Sequence, residues 1–154
     1  MDLDTFDPVW DRLLFHLRAA GRTLTRPVTD VRVGEPAVIP GPMIACWWEG
    51  EDEGDLIRHT LTGASYTDRV IVRWYWPVSD RALSEVTERQ LRRAVRATQR
   101  ALLADSLLGG ACAALRFPER TTAGWLDLGP GWARVVTLTL AVEMADEDII
   151  GTGG

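Results

Sequence analysis

The sequence predicts an α+β fold: a mostly antiparallel sheet packed on one face by an N-terminal helix and a long central helix. Three observations carry that prediction. Two stretches, 5–20 and about 80–107, repeat their apolar residues at the three-four spacing of a helix face. Two others, 66–76 and 132–144, alternate with the two-residue period of a strand. Strand-like runs also cluster along the chain instead of alternating with helices, which disfavours a doubly wound parallel sheet.

The first helix is expected over 5–20. Phe6, Val9, Trp10, Leu13, Leu14 and Leu17 fall on one face. Asp4, Thr5 or Asp7 can cap its start, Pro8 suits a first turn, and Gly21 ends it. Residues 22–35 are mixed and extended. Pro27, Gly34, Pro36, Pro40, Gly41 and Pro42 then punctuate the chain with turns, leaving room for a short strand at Ala37–Ile39. Met43–Trp48 is an apolar run of strand length. Glu49–Asp55 follows with five carboxylates, two glycines and no apolar residue, the composition of a surface loop.

Residues 56–62 and 66–76 read as paired strands around Gly63-Ala64-Ser65. In the second, Val70, Val72, Trp74 and Trp76 share one face, and Arg69, Ile71, Arg73 and Tyr75 the other. Pro77 is expected to close it. The long helix, capped by Ser79 or Asp80, buries Leu83, Leu91, Ala94, Val95, Thr98, Ala101 and Leu102, and stops at Gly109-Gly110. Opposite that stripe stand Arg89, Arg92, Arg93, Arg96 and Arg100. At 100° per residue they fall within roughly a third of the helix circumference. Ala111–Phe117 reads as a strand, and 118–131 as a turn-rich connection carrying Trp125. In the last strand, Trp132–Met144, the residues Val136, Leu138, Leu140, Val142 and Met144 point one way. Thr137, Thr139, Ala141 and Glu143 point the other, as in a sheet covered on one side. Residues 1–145 are expected to form one domain, and 146–154 an acidic, Gly-rich tail.

Composition narrows the function classes. The chain has 154 residues, 46% of them hydrophobic, enough for one core. No run approaches the roughly 18 apolar residues of a membrane span, and Met1-Asp2-Leu3-Asp4 is acidic where a signal peptide is basic. A cytosolic protein is expected. All 17 basic residues are Arg, and there is no Lys and no Asn. Codons for both missing residues begin with two adenines, so a GC-rich genome accounts for the bias. The formal net charge of −5 argues against a general basic footprint on nucleic acid.

Catalytic signatures are sparse. The sequence holds no Gly-x-Ser-x-Gly elbow, phosphate loop or dinucleotide fingerprint. Cys46 and Cys112 lie far apart in apolar runs, without zinc spacing, and read as packing thiols. His16 and His59 are the two histidines, and neither sits in a recognisable catalytic arrangement. No cofactor or metal site is expected. The acidic loop lacks calcium-loop spacing and reads as a solvated or repulsive element. The arginine stripe is either a wet helix face or a docking face for acidic partners, where ion pairs set register more than affinity. Trp47-Trp48 is informative, because neighbours in a strand face opposite sides and cannot both enter one core. Trp47, Trp48, Glu51, Asp52, Glu53 and the five arginines are therefore the candidate interface residues.

In order and style these elements resemble a known family. A helix opening Phe6-Asp7-Pro8-Val9-Trp10 leads through a Pro-rich segment to a strand with an acidic loop, Met43–Asp55. A strand ending Ile71-Val72-Arg73-Trp74-Tyr75-Trp76-Pro77, a long helix over Leu83–Leu108 and the amphipathic strand Val135–Val142 complete it. This arrangement resembles the tail terminator proteins of long-tailed bacteriophages, and the all-Arg composition suits a phage of a GC-rich actinobacterial host. The resemblance implies a ring of six copies on the tail tube. The ring stops tube polymerisation, presents a surface to the head-side neck protein, and lets DNA pass through its lumen without specific binding. It implies no catalysis. Assembly would take place in the host cytoplasm, and the mature location would be the virion neck. Two alternatives remain open on sequence: another neck protein, such as a head-completion stopper, and a small enzyme or ligand-binding domain with a pocket beneath the Trp-rich sheet.

Overall fold

The structure is a computed structural model that describes residues 6–51, 58–59 and 64–146. In chain order its elements are α1 (Asp7–Gly21), β1 (Val31–Val33), β2 (Met43–Glu51), β3 (Arg58–His59), β4 (Ala64–Val78) and α2 (Glu85–Ala104). A 3-10 turn (Leu108–Gly110), β5 (Ala114–Arg116), β6 (Thr122–Asp127) and β7 (Trp132–Asp146) follow. One sheet runs β1-β2-β4-β7-β5, with β3 also paired to β4 and β6 to β7. β1 and β2 are parallel, and every other pair is antiparallel. The predicted α+β class, with both helices on one face, is what the chain adopts.

The centre of the sheet is the β4–β7 ladder, unbroken from Ala64↔Asp146 to Val78↔Trp132. Its even-numbered residues form the covered face. Val70, Val72, Trp74, Leu138, Leu140 and Val142 pack with Val9, Leu13 and Leu17 of α1 and with Leu91, Val95 and Leu102 of α2. The alternation read in both strands is therefore the alternation of core and open face. Trp10 and Leu14 sit at the margin of this core, partly buried.

Several boundaries differ from the sequence expectation, each for a local reason. α2 begins at Glu85, not near 80. Ser84 is its cap, its Oγ accepting from the Thr87 N–H at 3.2 Å, and Leu83 lies outside the helix. The helix ends at Ala104 with Asp105 as cap, and Gly109-Gly110 belongs to the following 3-10 turn. Pro77 does not close β4, which continues through Val78. The proline is tolerated because β2 pairs with β4 only as far as Tyr75, so beyond it that edge of β4 has no strand partner among the described residues.

Ala37–Ile39 forms no strand, and Val31–Val33 pairs instead with Ile44–Cys46. Residues 118–131 are not merely a connection. Thr122–Asp127 is a strand, joined to β7 by a turn in which Leu128 N–H donates to Gly131 O at 2.8 Å. The expected strand at Ala111–Phe117 shortens to Ala114–Arg116. Of the expected strand at 56–62, the described part is Arg58–His59. β7 carries through Ala145 and Asp146, and 147–154 lie outside the described residues.

Gly21 is the last residue of α1 rather than a left-handed cap. Its role is close approach: a Cβ there would stand 2.3 Å from the Val28 carbonyl oxygen.

Candidate assembly surfaces

The five arginines of α2 are all exposed. They stand opposite Leu91, Ala94, Val95, Thr98 and Leu102, which the helix buries. Arg89 pairs with Glu85 at 2.7 Å, one turn back, and Arg96 donates to Gln99 Oε1 at 3.1 Å. Among the described residues no carboxylate pairs with Arg92, Arg93, Arg96 or Arg100. Like charges at three-four spacing repel by a few tenths of a kcal/mol per pair, so this face is left with uncompensated positive charge.

Beside the arginines runs a groove of about 210 Å³ between α2 and β6. Leu91, Val95, Val136 and Ala123 line its apolar part, and Arg92 and Arg96 stand on its helix side. The outer edge of β6 has no strand partner among the described residues. Sequence reasoning missed this feature because it missed β6. The available signal was Asp127-Leu128-Gly129-Pro130-Gly131, turn chemistry between two short runs that each carry a Trp. Arg134 and Glu88, 2.8 Å apart, bound one end of the groove. At the other end Gln99 donates to Thr121 Oγ1 at 2.6 Å.

Trp47 and Trp48 point to opposite faces, as adjacent strand residues must. Trp47 packs with Met43, Ala45 and Tyr75, a small second cluster on the open face that Ile39 partly covers. Arg73 lies over Trp47 at 5.3 Å from its ring centre and over Tyr75 at 5.9 Å, and donates from Nε to Thr137 Oγ1 at 2.9 Å. Burial pushes the Tyr75 phenol up, against the pull of the neighbouring Arg73 guanidinium. Trp48 is on the side of the sheet that the helices cover, yet it stays 57% exposed, with its indole N–H donated to Asp68 at 2.9 Å. Of the acidic candidates, Glu51 is exposed at the end of β2. Asp52 and Glu53 lie outside the described residues.

The open face also carries a broad groove of about 450 Å³ whose charges alternate: Glu35, Glu49 and Glu119 against Arg69, Arg73 and Arg120. Arg69 and Glu119 form an ion pair across it.

Cys46 is buried and Cys112 half-buried, both free, and burial pushes their thiols up to about 12 and about 11. Cys112 follows the 3-10 turn rather than sitting in a strand. His16 is buried, with Nε2 2.7 Å from Asp105 Oδ2, and Arg12 Nε donates to the same oxygen at 2.7 Å. Asp105 also accepts the Gly109 N–H at 2.9 Å. The His16 bond first, and then Arg12, holds the Asp105 carboxyl well below the usual carboxylate range. Asp105 thereby ties α1 to the end of α2. The side chain of His59 lies outside the described residues. No described helix is long and apolar enough to cross a membrane. Among the described residues no group of three His, Cys, Asp or Glu is placed to hold a metal ion.

No family model matches the chain, and no curated protein matches it. Among solved structures the chain is similar to a chain from the virion of a native gene transfer agent particle. Identity is 15% and the TM-score 0.48, over 87% of this chain and 92% of that one.

Proposed function

We propose that this chain is a structural virion protein, a tail terminator of a long-tailed bacteriophage. Six copies close into a ring on the finished tail tube, end tube polymerisation and offer a joining surface to the head-side neck protein. DNA passes through the lumen without specific binding, and no cofactor takes part.

The observation that carries this reading is the outer face of α2. Four arginines without a carboxylate partner among the described residues stand on a chain whose net charge is −5. A ring of identical subunits needs two unlike patches that meet head to tail. A basic helix face on an otherwise acidic surface supplies such a pair. The half-exposed Trp48 adds an aromatic of the kind enriched at interface centres. The acidic remainder of the surface suits a lumen that DNA must slide through.

Tube length tests the proposal. Tail tube protein polymerised with the purified chain is expected to stop at capped tubes, and without it to grow on. Tubes of unlimited length in its presence would reject the terminator role. A stopper on the head side would bind the neck and leave tube length untouched.

A further inference from the structure

The sheet ends in β1 on one flank and in β6, beside β5, on the other. The outer edges of β1 and β6 have no strand partner among the described residues. Two hydrogen bonds settle which way β1 presents its backbone. Ile44 N–H donates to Asp30 O at 2.9 Å, and Gly34 N–H to Cys46 O at 2.8 Å. In a parallel ladder that pattern turns Arg32 toward β2, and the N–H and C=O groups of Val31 and Val33 outward. On the other flank, the bond from Leu128 N–H to Gly131 O makes Asp127↔Trp132 a non-hydrogen-bonded pair. The register runs unbroken from there to Thr122↔Thr137, so Ala123 and Trp125 turn their N–H and C=O groups outward.

The side chains follow the same parity. Val31 packs on the covered core, and Val33 shares its face. Ala123 and Trp125 lie on that face too, in register with Val136 and Arg134. Arg32 and Gly124 lie on the open face, in register with Ala45 and Val135. Two antiparallel strands must agree on both counts, because directly opposed residues share a face.

Direction agrees as well. β6 is antiparallel to β7, and β7 to β4, so β6 runs with β4. β2 is antiparallel to β4, and β1 runs with β2. Successive copies set side by side with their sheets continuous therefore bring β6 and β1 together antiparallel. β6 also lacks the usual guards of an edge: Thr122–Leu126 holds no proline and no charge, and no bulge interrupts its register.

The competing arrangement sets β6 against β6 of another copy. Arg92 and Arg96 flank β6 across its groove, so that arrangement brings two cationic helix faces together, and they repel. α1, whose core residues pack with Val31, carries two aspartates and two arginines and raises no such barrier over β1.

We infer that β6 of one copy pairs antiparallel with β1 of the next, Trp125 to Val31 and Ala123 to Val33, each pair exchanging both hydrogen bonds. Arg32 then lies opposite Gly124, where a Cβ would meet nothing within 4 Å. The inference rests on the ring reading and deepens it, since two different edges of one subunit make a head-to-tail contact.

Cysteine cross-linking tests it. Full-length Cys112→Ser chain carrying Arg32→Cys is mixed with Cys112→Ser chain carrying Gly124→Cys and oxidised, alone and on tail tubes. Opposed residues of a non-hydrogen-bonded pair stand within disulfide reach, so a mixed covalent dimer is expected, and the double variant should give a ladder of linked oligomers. Ala123→Pro removes one outward N–H and no bond to β7. It should weaken the cross-link about tenfold and leave the urea midpoint unchanged. A disulfide dimer of the Gly124→Cys chain alone would place β6 against β6 and overturn the inference. So would no mixed dimer in any arm, or full cross-linking with Ala123→Pro. The ring is read separately by electron microscopy. Rings without the cross-link would reject this contact and leave the terminator reading standing; the cross-link in open chains without rings would do the reverse.

Discussion

The two faces of the sheet are built from the same two strands, alternate residue by alternate residue, yet they do different work. On the covered face, Val70, Val72, Trp74, Leu138 and Leu140 disappear beneath two helices. On the open face the neighbours of those residues are Arg69, Ile71, Arg73, Thr137 and Thr139, which line a groove of mixed charge. The first face fixes the fold through apolar burial. The second is itself buried at Ile71, Tyr75 and Thr139, and leaves Trp47, Arg73 and Thr137 partly exposed beside the exposed outer surface of α2. Substitutions on the two should therefore separate folding from assembly.

The largest effect is expected at Leu138, fully buried in the β7 centre. Leu138→Ala should cost about 3 kcal/mol, the usual range for a truncated core leucine, read as a drop in urea midpoint. Its neighbour Thr137 faces the open groove, and Thr137→Ala should cost about 1 kcal/mol, the worth of the hydrogen bond Arg73 makes to it. Equal losses at 137 and 138 would erase the distinction between the faces.

Next comes Asp105, which belongs to neither face and holds α1 to the end of α2. Asp105→Asn should cost about 2 kcal/mol, since hydrogen bonds to a charged partner are the stronger kind. Its folded pKa is depressed, so its contribution is fully present above the ordinary carboxylate pKa. It fades as pH falls below about 4, toward the folded value. The wild-type chain should lose stability there more steeply than Asp105→Asn. Identical acid unfolding curves would remove Asp105 from the account.

Arg73 refines the comparison, since it organises the open face rather than the core. Arg73→Ala should cost about 1 kcal/mol, from its contacts with Trp47 and Tyr75 and its bond to Thr137. It should also increase the solvent exposure of Trp47, seen as a red shift in tryptophan emission. The smallest stability effect belongs to the exposed pair Arg92→Gln with Arg96→Gln, expected within about 0.5 kcal/mol of wild type. Assembly on tubes should nevertheless weaken. An altered melting temperature with normal assembly would mean the stripe serves the fold.

How much of this was legible in the sequence follows from the range of the interactions. The alternation in 66–76 and 132–144 identified both central strands and their buried faces, because a two-residue period is a local property. The arginine stripe was equally legible from helical spacing. The start of α2 was not, because Asp80 and Ser84 are both acceptable caps, and the helix takes Ser84. β6 was missed because its residues stay largely exposed and its strand character comes from pairing with β7. With it went the groove, which is lined by residues of two segments more than twenty positions apart in the chain. The role of Asp105 was invisible for the same reason, since its partners Arg12 and His16 stand on the first helix.

The most direct measurement of the central claim is electron microscopy of tail tubes assembled with this chain. A ring of identical copies at one end of each tube, with an open centre and no further tube growth beyond it, is the predicted result. A single copy at that end, or tubes that lengthen through bound protein, would contradict it.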